Sequence, residues 1–260
     1  MSEVLSPATE GIGAEEWTTR CDLAALYRLL AHFRMTDLID THISARVPGP
    51  EAHFLINRYG LLFDEMRASD LVKVDLDGRV VDSRAVAGDA RFRVNRAGFT
   101  IHSAVHAARP DLHWVIHTHT AAGGAVSAQE AGLLPISQHA LKFHGKLGYH
   151  DYEGIALDLG ERQRLVTDLG SYNAMILRNH GLLVGGHTVA DAFSEIWFLE
   201  RACQIQVGAL AGGSAVRLPP TKVQTLTAEQ FDSEESADIV QLTWTAARRL
   251  IDDQAAQYRS

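Results

Sequence analysis

The stretch Asp111–Thr120, DLHWVIHTHT, constrains the fold most, because a run of β-forming residues delivers two histidines at positions i and i+2. Successive side chains of a strand alternate between its faces, so His117 and His119 should project from one side of a sheet. Two imidazoles placed in this way can bind one Zn²⁺ or Fe²⁺ ion, which would need further ligands from elsewhere. The alternative is that both are ordinary strand histidines.

A third histidine favours the metal interpretation. His180 ends another apolar run, NAMILRNHGLL, directly before Gly181, where a strand must bend or give room to a neighbour. We therefore predict His117, His119 and His180 as the metal ligands. Three neutral imidazoles leave the +2 charge of an ion undiminished, so such a site should be a strong Lewis acid with an open position.

Composition excludes several classes of function. The 260 residues are 46% hydrophobic and 22% charged, which suits one large core and a single domain by default. A net charge of -8 without any basic block argues against nucleic acid and anionic membranes as partners. Cys21 and Cys203 are too few for a disulfide framework, and no run approaches the roughly 20 apolar residues of a membrane span. We expect a soluble, cytoplasmic protein.

The first half of the chain mixes helices with short strands. Residues 1–13 are predicted to be a disordered leader, and Ala14–Met35 has the apolar spacing of a helix with one buried face. Turn signals between β-rich segments predict two antiparallel strands and a later hairpin. A further helix should end at Pro110 and lead into the histidine strand. The segments are Thr41–Val47, His53–Ile56, Asp70–Asp82 for the hairpin and Asn95–Arg109 for the helix.

The second half continues the alternation. Helices are predicted at Ala121–Ala131 and Ala156–Leu169, and a long helix should run from Thr188, its candidate N-cap, to Gly212-Gly213. A strand is predicted at Asn173–Arg178. Gly185-Gly186 should form a turn. Residues 214–260 are predicted to form an extended strap and one helix, Ala228–Gln257, packing on the domain of residues 14–213. Strands interleaved with helices indicate an α/β fold with a mixed sheet between helical layers.

Other histidines and a polar cluster are secondary candidates. His102 and His106 lie one turn apart on the helix over Asn95–Arg109, where hydrogen-bonded burial is more common than metal binding. The run Tyr149-His150-Asp151-Tyr152 combines aromatic and polar side chains and could line a site.

Longer motifs resemble the class II aldolase/adducin family, and its bacterial adducin-like branch more than the sugar-phosphate aldolases. They are NRAGFTIHSAVHAARPDLHWVIHTHT, RNHGLL, FLINRYGLLFDEMRASDLVKVDLDGRVVD, YHDYEG and CQIQVGALAGG. The resemblance covers about Ala14–Gly213. It implies a three-layer α/β/α fold with a central, largely antiparallel sheet, commonly assembled as a tetramer with sites at subunit boundaries. It also implies a divalent metal, typically zinc with Fe²⁺ or Mn²⁺ as alternatives, held by His117, His119 and His180.

The sequence departs from the family pattern at several positions. The family's catalytic Glu corresponds to Gly98, its phosphate-binding serine pair to Arg96-Ala97, and its phosphate loop to Asn57–Gly60. The family's Asn corresponds to His42, which is either a polar group near the metal or a core histidine. Tyr149 corresponds to the proton-donating tyrosine that serves an adjacent subunit, and a buried tyrosine that anchors its turn is the alternative.

These features predict a metal-dependent lyase that makes or breaks a C–C bond beside a carbonyl, or decarboxylates a 2-oxo acid, rather than a standard sugar-phosphate aldolase. The catalytic candidates are Tyr149 and His150, with Asp151 and Glu65 as further possible bases. One alternative is an Fe(II)-dependent oxygenase or oxidative decarboxylase on the same fold. The other is a non-catalytic, adducin-like interaction module, which the complete histidine set argues against.

Overall fold

The structure is a computed structural model that describes residues 11–86, 88–155 and 160–260. Most of the predicted leader and the first four residues of the helix predicted from Ala156 lie outside these ranges. Within them, no helix is both long and apolar enough to cross a membrane.

Seven strands form one mixed sheet in the order β3-β2-β1-β4-β7-β6-β5. All neighbouring pairs are antiparallel except β5 and β6, so the predicted, largely antiparallel mixed sheet is confirmed. The histidine strand β4 lies at the centre. The strands are β1 (His42–Arg46), β2 (Phe54–Ile56), β3 (Val72–Val74), β4 (Trp114–Thr118), β5 (Leu147–His150), β6 (Ala174–Leu177) and β7 (Gly181–Gly186).

Helices cover both faces of this sheet, which confirms the three-layer α/β/α arrangement. In the described part of the chain they are α1 (Ala14–His32), α2 (Arg96–Ala108), α3 (Ala121–Ser127), α4 (Gln138–Leu141), α5 (Glu161–Leu169), α6 (Val189–Leu210), α7 (Thr221–Gln230), α8 (Glu234–Arg248) and α9 (Ala255–Tyr258).

The alternation of side chains along β4 divides the core in two. Ile116 points into a large cluster that α1, α6 and α8 complete. Its neighbour Val115 points into a smaller cluster with α2 and α5, where Ile101 and Leu165 pack. Because both faces of β4 are covered, its apolar residues run continuously, as expected for a central strand. His117 lies two residues beyond Val115 and therefore faces the α2 side.

The predicted turn at Gly185-Gly186 is wrong, because both glycines belong to β7 and pair with β4. Their role is close packing. A Cβ at Gly185 would lie 2.7 Å from a methyl carbon of Leu112, and one at Gly186 would lie 2.3 Å from the backbone nitrogen of Ala192. Glycine is needed at both positions because a side chain would push the strand away from its neighbours.

The single helix predicted over Ala228–Gln257 is also wrong. Helix α7 begins directly after Pro220, and a break around Ser233 separates it from α8. The Ser233 hydroxyl accepts the backbone N–H of Ser236 and so caps α8. The DSEES stretch therefore contains a helix boundary. Trp244 of α8 and Tyr258 of α9 are buried in the same cluster as α1 and α6.

Candidate metal centre

Two backbone segments bring the three predicted ligands together. His117 lies within β4, and His119 follows Thr118, the last residue of that strand. His180 lies in the turn between β6 and β7, where Asn179 has a positive φ of 53°. Asparagine adopts this left-handed conformation more readily than most residues, so the sequence RNHG suits the turn.

Gly181 sets how closely the turn approaches β4. A Cβ at this position would lie only 2.3 Å from the carbonyl oxygen of Thr118 and 3.2 Å from the ring of His119. The backbone before β7 can therefore pass directly beside the end of β4. Ser127 at the end of α3 holds the turn from the other side, because its hydroxyl accepts the backbone N–H of His180 at 3.1 Å.

The three side chains converge through their Nε2 atoms. The Nε2 of His119 lies 2.8 Å from the Nε2 of His117 and 2.8 Å from the Nε2 of His180. Among the described residues, these three histidines form the cluster whose ligand atoms all lie within 4.8 Å of one another. The structure thus brings together the ligand set that the sequence predicted.

Partners of the opposite ring nitrogens define the chemistry of these Nε2 atoms. His117 Nδ1 lies 2.9 Å from the carbonyl oxygen of Leu182, and His119 Nδ1 lies 3.3 Å from Oδ2 of Asp37. Both partners accept hydrogen bonds, so each Nδ1 carries the hydrogen and each Nε2 of the neutral ring presents a lone pair. Lone pairs directed at one point repel each other, and a divalent cation there would turn the repulsion into coordination. The donor set fits such an ion.

Burial keeps the imidazoles of His117 and His180 neutral. It lowers the pKa of His117 well below its ordinary value, and the neighbouring His180 and His119 lower it further. Burial, followed by the charges of His119 and His150, lowers the pKa of His180 to about 4. Both side chains are therefore in the metal-binding form at neutral pH.

The histidines lie in the wall of a cavity of about 630 Å³, a size typical of small-molecule sites. The cavity also reaches Asp37, His42, Gly98 and Tyr152. Burial lowers the pKa of His42 to about 3, so its ring is neutral as well. Sequence reasoning missed Asp37 because it lies in an irregular loop whose composition carries no periodic signal.

Tyr149 is not among the described residues that line this cavity. Its hydroxyl accepts the backbone N–H of Leu133 at 3.0 Å, and the guanidinium of Arg178 lies 4.4 Å from the centre of its ring. Gly132 makes room for the ring, since a Cβ there would lie 2.6 Å from it. The hydroxyl hydrogen of Tyr149 is not used in the contact with Leu133.

His150 lies behind His180, in a small second cavity that both line. It is buried, and its Nδ1 lies 2.7 Å from Oδ2 of Asp168. Glu161 approaches the other nitrogen at 3.6 Å. His150 thus lies between two carboxylates on the far side of His180 from the three-histidine cluster, and Asp151 lines the same small cavity.

The remaining candidates lie elsewhere. Glu65 accepts the backbone N–H of Leu62 and lines a separate cavity with Arg28. His102 and His106 are fully buried and both bond to the hydroxyl of Ser44, at 2.6 and 2.8 Å, which agrees with the hydrogen-bonded interpretation of this pair.

The residues that the resemblance aligns with the family's phosphate-binding groups lie in different places. Arg96 lines a neighbouring cavity of about 250 Å³, whereas Ala97 lines the one with the histidines. Asn57 is buried, and its side-chain oxygen accepts the hydroxyl of Tyr27 at 3.0 Å. Asn57 is therefore part of the core.

Residues 21–207 match the family described as the class II aldolase and adducin N-terminal domain. The chain belongs to this family, which confirms the resemblance that its motifs carry. It is 49% identical to alpha-adducin of Rattus norvegicus over 208 residues, which are 78% of this chain and 28% of that protein.

Solved structures agree with this assignment. An aldolase II superfamily protein from Pseudomonas syringae is 52% identical, with a TM-score of 0.89 and coverage of 96% of this chain and 98% of the other. An L-fuculose 1-phosphate aldolase from Glaciozyma antarctica is 27% identical, with a TM-score of 0.82 and coverage of 95% and 94%. The identity with adducin exceeds that with the fuculose phosphate enzyme, in line with the expected branch.

Proposed function

We propose that this protein is a metal-dependent lyase that makes or breaks a C–C bond beside a carbonyl group, or decarboxylates a 2-oxo acid. The observation that carries the proposal is the convergence of three histidine Nε2 atoms in the wall of a cavity of small-molecule size. His117, His119 and His180 would hold the ion, with Zn²⁺ preferred over Fe²⁺ or Mn²⁺ for three imidazole ligands. When bound, the ion supplies a Lewis acid that stabilises the negative charge of an enolate.

The chain's own residues would hold this centre in place and supply protons. The carbonyl of Leu182 and the carboxylate of Asp37 fix the tautomers and orientations of His117 and His119. Tyr149 is the proposed proton donor, acting in the site of an adjacent copy. Its contact with Leu133 uses an oxygen lone pair, so its hydrogen stays available to a group outside this chain. This role requires at least two copies of the chain, and we propose that the protein is a homotetramer. We also propose that it is cytoplasmic. His150, which lines the small second cavity together with His180, would help to hold His180 in position.

A sugar-phosphate aldolase is the main rival, because the fuculose phosphate enzyme shares the fold at 27% identity. Three features of the structure argue against that activity here. Position 98 offers no carboxylate, and the ring of His42 occupies the space that a side chain there would need. Asn57 is bonded to Tyr27. Arg96 lines a different cavity.

Metal analysis followed by a substrate screen tests the proposal. Protein purified without added metal should contain a divalent ion, and a panel of 2-oxo and hydroxy acids should show turnover that chelation abolishes and oxygen does not affect. L-fuculose 1-phosphate belongs in the same panel. Turnover of it near the roughly 10 s⁻¹ typical of enzymes would establish the sugar-phosphate activity instead. Strict dependence on oxygen would indicate the Fe(II) oxygenase, and a metal-free protein that folds equally well in chelator would indicate an adducin-like interaction module.

A further inference from the structure

His42 on β1 and Gly98 on α2 occupy one shared space. A Cβ built on Gly98 would lie 2.6 Å from Cγ and Nδ1 of His42 and 2.7 Å from Cε1. These distances are too short for any side chain at position 98 while the ring stays in place. The imidazole of His42 thus fills the place beside α2 that a residue at position 98 would otherwise occupy.

The register of the sheet places this ring beside the metal ligands. His42 is the direct partner of His117 across the antiparallel pair of β1 and β4. Side chains of directly opposed residues lie on the same face, with Cβ atoms roughly 4.5–5.5 Å apart. His42 and His117 also line the same cavity. His42 does not belong to the cluster of mutually close ligand atoms, so it is a neighbour of that cluster.

Both ring nitrogens of His42 are without a hydrogen-bond partner in the described part of the chain, although only 2% of the residue is exposed. The next residue on the same face of β1, Ser44, bonds to one ring nitrogen of His102 and one of His106, whereas His42 has no such bond at either nitrogen. An unpaired buried polar group costs about 1–3 kcal/mol, so its retention calls for an explanation. A ligand in the cavity would supply the missing partner.

We propose that His42 contacts the substrate directly, as a neutral imidazole whose N–H donates a hydrogen bond to an oxygen of a small oxo acid bound beside the three-histidine cluster. This inference rests on the proposed function and names a substrate-contacting residue within it. A neutral imidazole can stabilise developing charge on a substrate oxygen without transferring a proton. His42 would thus supply polar contact from the side of α2, where Gly98 offers none.

Oxalate, a planar mimic of the enolate of a 2-oxo acid, is a suitable probe. Its dissociation constant with the zinc-loaded protein can be measured by calorimetry, together with zinc stoichiometry. His42→Leu keeps most of the volume and removes both nitrogens; we expect oxalate affinity to fall at least about tenfold, equal to about 1.4 kcal/mol, with zinc unchanged. His42→Gln, which retains a donor, should recover part of the affinity. Ser44→Ala is the matched control on the same strand face and should bind oxalate like wild type.

The results separate this inference from the proposed function. A wild-type protein that binds no zinc would refute the proposed function itself. Wild-type protein that binds zinc but no oxalate would overturn only the inference, as would a Leu variant with unchanged oxalate affinity or one that loses zinc. If the Leu variant does not fold, Gly98→Ala decides, because its Cβ would displace the ring without removing it. Weaker oxalate binding at full zinc supports the inference, and unchanged binding overturns it.

Discussion

Oδ2 of Asp37 lies 3.3 Å from Nδ1 of His119, whose other ring nitrogen, Nε2, lies 2.8 Å from the Nε2 atoms of His117 and His180. A carboxylate at this point fixes the imidazole tautomer and raises its basicity as a ligand. We expect Asp37→Ala to weaken zinc binding about tenfold, at the lower end of the usual range because Asp37 is half exposed. Competition with a chromophoric chelator measures this change.

Asp40→Ala is the control for that experiment, since it removes the same charge from the same cavity wall. Its zinc affinity should stay within about twofold of wild type if the contact with His119, and not the general charge of the cavity, is responsible. Equal losses in both variants would contradict the role given to Asp37.

Gly181 should tolerate no side chain. Its Cβ would lie 2.3 Å from the carbonyl oxygen of Thr118, so Gly181→Ala must push the turn away from β4. We expect a loss of about 1–3 kcal/mol in the free energy of unfolding, as for other overpacked sites, and weaker zinc binding because His180 moves with the turn. Urea unfolding and zinc titration check both effects.

Gly124→Ala provides the contrast. Gly124 lies inside α3, and nothing lies within 4 Å of its Cβ position. The stability of this variant should stay equal or rise, because alanine favours the helix by about 1 kcal/mol. If both glycine variants behaved alike, close packing at Gly181 would not be the cause.

The three proposed ligands could be named from the sequence because each lies in a recognisable local pattern and in a motif of the family resemblance. Alternation in β4 places His117 and His119 near each other, and the Asn-His-Gly sequence identifies a turn that delivers His180. The pairing of β1 with β4 could not be predicted in this way. Nothing in the periodicity of His42–Arg46 shows that it pairs with the histidine strand, so the position of His42 opposite His117 emerges only from the structure.

Glycine residues were the least reliable guide to secondary structure. The sequence predicts a turn at Gly185-Gly186, yet both residues lie within β7. They are glycines because Leu112 and the backbone of Ala192 occupy the space that their side chains would need. A sequence shows that a side chain is absent, but it does not show whether backbone conformation or a tertiary neighbour requires the absence. Gly98 is a second example, because the ring of His42 leaves no room for a side chain at position 98.

Tyr149→Phe tests the proposed proton donor. The variant loses the acceptor of the Leu133 N–H, so its unfolding free energy should fall by about 1 kcal/mol. A proton donor in an adjacent copy would in addition lower kcat by about 10²–10⁴-fold while zinc content and oligomeric state stay the same. Steady-state rates on the substrate found in the screen and light scattering measure these quantities. An unchanged kcat would leave Tyr149 with a structural role only.

Buried histidines should make the protein sensitive to acid. Burial lowers the pKa of His42 and of His106 to about 3 each from an unfolded value of 6.5. The unfolded chain therefore binds more protons between pH 6.5 and about 3, and stability must fall as the pH is lowered through this window. Each group should contribute about 1.4 kcal/mol per pH unit.

Urea unfolding in chelator, from pH 7 to pH 5, measures this effect without a contribution from metal. The range lies above the ordinary pKa of carboxylates and well above that of Asp82, which its arginine neighbours lower, so most of the loss reports on the histidines. A free energy of unfolding that stays constant from pH 6.5 to pH 5 would contradict the burial assigned to them.

The metal content of the His117→Ala variant tests the central claim most directly, with His113→Ala as its partner. Both changes remove an imidazole from the same segment, but only His117 belongs to the converging cluster. Wild type and His113→Ala, purified without added metal, should each carry one divalent ion per chain by elemental analysis, and His117→Ala should have lost most of it. Full metal content in His117→Ala, or wild-type protein that neither contains metal nor takes up added zinc, would contradict the account.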